Sequence, residues 1–174
     1  MNIGILLLRL AVGLTMGAHG VQKLTTWLGG HGIAGTSHFV ESLGFRPGRF
    51  FAYLLGLSEL IGGLLIAVGL MTPLGALMVI GVMTAAAIAV HRGKGFFVTD
   101  GGFEYPFILA AASAAIAFMG PGLYSGDSLL GLSVNDPLLA VGTVALGVLS
   151  GFAVCAFRHL PEMFRGEGAQ AQAG

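Results

Sequence analysis

"GLSELIGGLLIAVGLMTPLGALMVIGVM", residues 56–83, contains two apolar runs joined by "MTP". Pro73 stands where a second helix would begin: its fixed φ suits the first helical position, where a missing N–H costs nothing. Followed outward, the runs occupy 50–71 and 73–91, each about the 20 residues that cross a bilayer's hydrocarbon core. With so short a turn between them they form a helical hairpin. One carboxylate, Glu59, interrupts the first run, and Gly56, Gly62 and Gly63 fall around it on the same side of the helical wheel.

The remaining chain fits the same class. Of its 174 residues 55% are hydrophobic and 9% charged, with a mean hydropathy of +0.88. Soluble domains carry about a quarter charged residues, so the sequence reads as an all-α integral membrane protein. Further runs at 3–22, 104–120 and 137–157 bring the spans to five. The fourth is short and alanine-rich; the fifth has no charge and carries Gly147 and Gly151 at GxxxG spacing. The opening "MNIGILLLRLAVGLTMG" lacks a basic leader and has Arg9 within its apolar run, so it reads as a mature span rather than a signal peptide. "TSHFVESLGF", 36–45, within the long connection 23–49, suits a short interfacial helix. The expected organisation is one transmembrane domain over 1–160 and a flexible cytoplasmic tail over 161–174, ending in "GEGAQAQAG".

Charge narrows the partners. Eight basic and eight acidic residues leave no net pull on nucleic acid, so the bilayer is the expected environment. The single cysteine, Cys155, permits neither an internal disulfide nor a dithiol motif and reads as a small packing residue. Five spans put Lys23, Arg46, Arg49, Arg92, Lys94, Arg158 and Arg165 on one side, with Arg9 inside a helix. The positive-inside rule then places the N-terminus outside and the C-terminus in the cytoplasm.

A charge at the bilayer centre costs at least about 2.5 kcal/mol, so each one within a span is a candidate for function. Arg9, Gly13, Met16, Gly20 and Lys23 follow 4-3-4-3 spacing along one face of the first helix, with Gly17 and His19 beside it. Counting the rise along the helices puts Arg9 within about one turn of Glu59 in depth, so an Arg9–Glu59 ion pair is expected, as a clamp between helices or as part of a site. Near the cytoplasmic end His19, Lys23, His91, Asp100, Glu104 and Tyr105 converge, with Thr84 about two turns deeper. Acid, base and aromatic groups at one depth suit the polar head of a lipophilic ligand and the passage of protons to it. The candidate catalytic groups are Glu59, His91 and Glu104; the candidate ligand-binding groups are Arg9, His19, Lys23 and Tyr105. Snorkelling at helix ends is the plainer account of Lys23 taken alone. Haem ligation by His19 and His91, and a metal at His31, His38 and Glu41, fit less well, the first pair lying near the surface and the second set being loosely spaced. No metal site is assigned. Phe96, Phe97 and Phe103 suit interfacial anchoring.

Arg9, "HGVQKL" at 19–24, "GLSELIGGLLIAVGLMTPLGA" at 56–76, His91 and "DGGFEYPFILA" at 100–110 together resemble the DoxX family of small membrane proteins, which includes DoxD-like quinol oxidase subunits. The resemblance covers residues 1 to about 120. It implies a four-helix transmembrane bundle in a prokaryotic inner or plasma membrane, to which the helix at 137–157 is an addition. It also implies membership of a membrane oxidoreductase assembly, quinol- or thiosulfate-linked or defending against oxidative and thiol stress. The shared positions fall on Arg9, His19, Lys23, Glu59, His91 and Glu104. The expected function is therefore a subunit of a quinone-linked or stress-defence membrane complex, with no intrinsic cofactor, a quinone as ligand and other membrane subunits as partners. An accessory subunit docking through glycine-rich helix faces is the alternative, and a small transporter a third reading.

Overall fold

The computed structural model describes residues 2–132 and 134–158; the expected tail at 161–174 lies outside the described residues. Helix α1 (Asn2–Leu24) leads through a turn at Trp27–Gly29 to α2 (Gly32–Ser42), and α3 (Gly48–Val68) and α4 (Thr72–Ala89) follow as a hairpin. A loop with a helical turn at Val98–Asp100 precedes α5 (Glu104–Met119); the single turn α6 (Gly126–Leu129) and the long α7 (Pro137–Ala156) complete the described chain. Among the described residues there is no strand.

Four helices, α1, α3, α4 and α7, are long and apolar enough to cross a membrane. The fifth apolar helix, α5, has 16 residues and reaches only about 24 Å at 1.5 Å per residue. α1 packs on α3, α3 on α4, α4 on α5, and α5 returns to α1, closing a four-helix bundle; α7 lies outside it against α4 and α5. Leu7, Leu14, Ile61, Leu64, Leu149 and Phe152 point outward, as acyl chains as solvent require. Inside, Val12, Met16, Ile66, Val79, Met83, Leu109 and Ile116 form the core. The interfacial helix expected at 36–45 is present slightly earlier, as α2, and turns Thr36, Ser37 and Val40 inward against the bundle.

Glycine sets the closest contacts. A Cβ on Gly13 would lie 2.5 Å from the Gly63 carbonyl oxygen, and one on Gly63 2.5 Å from the Gly17 nitrogen, so α1 and α3 meet backbone to backbone. Gly147 sits on Ile80 and Gly151 on Thr84 and the Gly81 carbonyl, so the GxxxG pair of α7 is consumed by α4 of the same chain.

The α3–α4 turn is held by two buried charges. Gly69, in the left-handed region at φ 69°, ends α3 by donating its N–H to the Leu65 carbonyl at 2.8 Å. The Arg9 guanidinium, 1% exposed, donates to Ile66 O at 3.0 Å and Ala67 O at 2.9 Å at that helix end. It also donates to Pro121 O at 2.6 Å and Tyr124 O at 2.9 Å in the loop after α5. Across the turn, fully buried Asp127 accepts from the Met71 N–H at 2.7 Å, the Thr72 N–H at 3.0 Å and the Thr72 hydroxyl at 2.7 Å. A cation thus sits at the C-terminus of α3 and an anion at the N-terminus of α4, each matching the sign of its helix dipole.

This overturns the expected Arg9–Glu59 ion pair. In the antiparallel α1–α3 register Gly20 faces Leu60, so Glu59 lies near the level of residue 20. Arg9 is eleven residues further along α1, about 16 Å away by helical rise. The partner of Glu59 is Lys23, and those of Arg9 are carbonyls.

Candidate functional site

At the opposite end from the Arg9–Asp127 turn, the bundle with α2 and α7 borders a partly open cavity of about 400 Å³. α1 contributes His19 and Lys23, α3 contributes Leu55, Ser58 and Glu59, and α4 with the two residues that follow it lines the cavity from Gly81 to His91. α5 adds Tyr105 and Pro106. Phe39 and Val40 of α2 and Leu43 just after it form a roof, and Ser150 and Val154 of α7 form a wall. The lining is mostly apolar, and its ionisable groups are His19, Lys23, Glu59, His91 and Tyr105.

Three pairings organise these groups. Lys23 Nζ donates to Glu59 Oε2 at 2.6 Å; the lysine side chain keeps 24% exposure and the carboxylate only 4%. The bare surfaces of Gly56 and Gly20 bring the two helices close enough for this reach, since a Cβ on Gly56 would strike Leu24 and one on Gly20 would strike Leu60. His19 Nε2 and Tyr105 Oη are hydrogen-bonded at 2.8 Å, their rings meeting edge-on at 76° with centroids 5.8 Å apart. His91 Nδ1 lies 2.6 Å from the Gly101 carbonyl oxygen. A carbonyl only accepts, so Nδ1 carries the proton and Nε2 of the neutral ring is an acceptor.

Of the sequence-predicted site residues, His19, Lys23, Glu59, His91 and Tyr105 therefore meet at one cavity. Arg9 does not; it serves the other end of the bundle. Glu104 also stands outside the lining, where Oε2 accepts from the Val98 N–H at 2.9 Å and ties down the loop that presents Gly101 to His91. Asp100 is exposed in that loop, and Thr84 faces Gly151 of α7. Asp127 was missed by sequence reasoning; its only signal is the Ser125–Ser128 cap around it in "SGDS". The roof of α2 and the wall of α7 were missed as well, since nothing in an apolar run marks which residues border a void.

Fold and cavity define a multi-pass helical membrane protein with a largely apolar cavity whose lining includes a few ionisable groups. The DoxX family profile matches residues 4–92, just over half of the chain. The protein belongs to the DoxX family. It is 33% identical over 119 residues to "Putative oxidoreductase CatD" of Bacillus subtilis (strain 168), covering 66% of this chain and 79% of that protein. It is 31% identical over 129 residues to "Inner membrane protein YqjF" of Escherichia coli (strain K12), covering 74% and 93%. No solved structure matches it. Helix α7 lies beyond the profile match.

Proposed function

We propose that this protein is the membrane subunit of an oxidoreductase complex and that its cavity takes the head group of a membrane quinone. The observation that carries the proposal is the make-up of the cavity lining: apolar walls from α2, α3, α4 and α7, with the Lys23–Glu59 pair, the His19–Tyr105 pair and His91 among them. A volume of about 400 Å³ falls within the range of ligand pockets, and a few convergent polar groups in an apolar cleft are the usual make-up of one. The residues present fit an isoprenoid quinone, which supplies two-electron, two-proton chemistry when bound. Glu59 and His91 are the groups to hold or release protons beside it, Lys23 holds the carboxylate, and Tyr105 and His19 border the head group. Glu104 is a positioning residue, acting on His91 through the 95–104 loop. Electrons pass to or from a partner subunit.

The basic residues support the N-out, C-in orientation. Lys23, Arg46, Arg49, Arg92, Lys94 and Arg158 all belong to the cavity end, while the other end has Arg9, locked onto carbonyls. A relative named as an inner membrane protein supports placement in a prokaryotic inner membrane. Gly13, Gly63, Gly147 and Gly151 are covered within the chain, which favours a ligand site over docking of another protein through those glycines.

Decylubiquinone titrated into nanodisc-held protein tests the proposal. Saturable binding that weakens at least tenfold in Glu59→Gln is expected. Absence of saturable binding, or an affinity unchanged by the substitution, overturns it.

A further inference from the structure

Helix α4 borders the cavity with more than one face. Gly75, Met78 and Val79 mark the side of α4 that meets α3, Gly81 and Thr84 the side that meets α7, and Met83 the side that joins Leu109 of α5 in the core. At about 100° per residue, Ala85 and Ala89 then fall between the α3 side and the α7 side, whereas Val90 falls with Met83 towards α5. All four line the cavity. So do Val82 and Ala86, which point at α3, with Leu55 and Ser58 lining it from α3 itself. The cavity therefore passes between α3 and α4. Gly62 and Gly75 hold these helices close near their turn, and over the half that carries the cavity they stand apart.

One end of this passage faces lipid. α3 and α7 pack on α4 from two sides, and the cleft between them is floored by Gly81, Ala85 and Ala89. Leu54 edges it at 40% exposure, about 9 Å along α3 from Gly48 and so within the apolar run. The other end holds His19, Lys23 and Tyr105 from α1 and α5. Other ways in are obstructed. Val40, Phe45 and Ala52 form a buried cluster beneath α2, glycine joins α1 to α3 backbone to backbone, and the His19–Tyr105 hydrogen bond crosses the seam between α1 and α5.

We infer that the cavity is loaded sideways from the bilayer: a ligand with one flexible apolar tail enters between α3 and α7 beneath α2, its head group passes between α3 and α4 to the Lys23–Glu59 pair, and its tail stays in the cleft against Leu54, Ala85 and Val154. This rests on the cavity being a ligand site, as proposed above, and adds the route and the shape of molecule that can use it. A tailed molecule is dissolved in hydrocarbon already, since each methylene favours the bilayer over water. A volume of about 400 Å³ is that of a pocket for one drug-sized molecule, room for a ring and part of a single chain rather than for a two-chain phospholipid.

The test uses a decylubiquinone analogue with a diazirine at the far end of its tail, photolysed in nanodisc-held full-length protein, with the labelled residues located by peptide mass spectrometry. Labelling within 50–58 of α3 and 149–156 of α7, suppressed by excess unlabelled decylubiquinone, is expected. Ala85→Trp fills the cleft from the face of α4 turned away from α5, and should slow decylubiquinone association at least tenfold while the circular-dichroism melt stays cooperative. The wild-type labelling pattern decides alone if that variant does not fold. Suppressible labelling confined to α1 and α5, saturable binding without suppressible labelling of the cleft, or unchanged association in a folded Ala85→Trp overturns the route and leaves the ligand site standing. If decylubiquinone does not bind saturably at all, the ligand site itself falls, and the route with it.

Discussion

Replacing Arg9 by methionine should destabilise the protein without touching the cavity. Arg9 makes four hydrogen bonds to carbonyls, and hydrogen bonds from a charged donor contribute about 1.5–3 kcal/mol each, or on the order of 6–12 kcal/mol in all. Methionine also removes the cost of burying a guanidinium, an effective several kcal/mol. The net loss is then about 3–5 kcal/mol, the usual cost of removing one member of a buried charged arrangement. For a chain of this size that lowers the unfolding midpoint on the order of 10 °C, measured by circular dichroism in detergent. Because Arg9 shares no hydrogen-bond partner with Glu59 and lies about 16 Å from it, the losses in Arg9→Met and Glu59→Gln should add within about 0.5 kcal/mol. A coupling above about 1 kcal/mol, or recovery of stability when Arg9→Glu and Glu59→Arg are combined, would refute the register.

Lys23→Met alone strands the buried Glu59 carboxylate and should cost about 3–5 kcal/mol, most of it recovered when Glu59→Leu is added; thermal melts of the three variants check this. Gly63→Ala forces α1 and α3 apart and should abolish monodisperse protein in size-exclusion chromatography, whereas Gly17→Ala, whose Cβ meets open space, should not. Gly151→Leu should push α7 off Thr84 and Gly81 and withdraw Ser150 and Val154 from the cavity wall, weakening decylubiquinone binding at least tenfold while the melting profile stays cooperative.

The five apolar helices were legible because length and hydropathy are local, and Pro73 marked the hairpin to within a residue. α3 ends three residues earlier than its apolar run, because Gly69 adopts the left-handed cap that a run of hydrophobic letters does not reveal. Pairings were harder, since they depend on the register between α1 and α3. Depth counting from approximate span ends put Arg9 within about one turn of Glu59, where the register separates them by about 16 Å, roughly half the hydrocarbon core, although Lys23 and Glu59 were both singled out. The partners of Arg9 are backbone carbonyls, which carry no residue identity to search for. The GxxxG pair of α7 announced a close helix contact, and only the three-dimensional arrangement assigns that contact to α4. Glu104 was grouped with the site because it opens α5 beside Tyr105, yet neighbours in sequence at a helix start point in different directions.

Native mass spectrometry of the protein, extracted from its own membranes with lipids retained, tests the cavity's role most directly, compared with an Ala86→Phe variant that fills the chamber. One isoprenoid quinone or quinol bound per chain, absent from the variant, is the predicted result. Phospholipid alone on the wild-type protein, or a quinone retained equally by both, would contradict it.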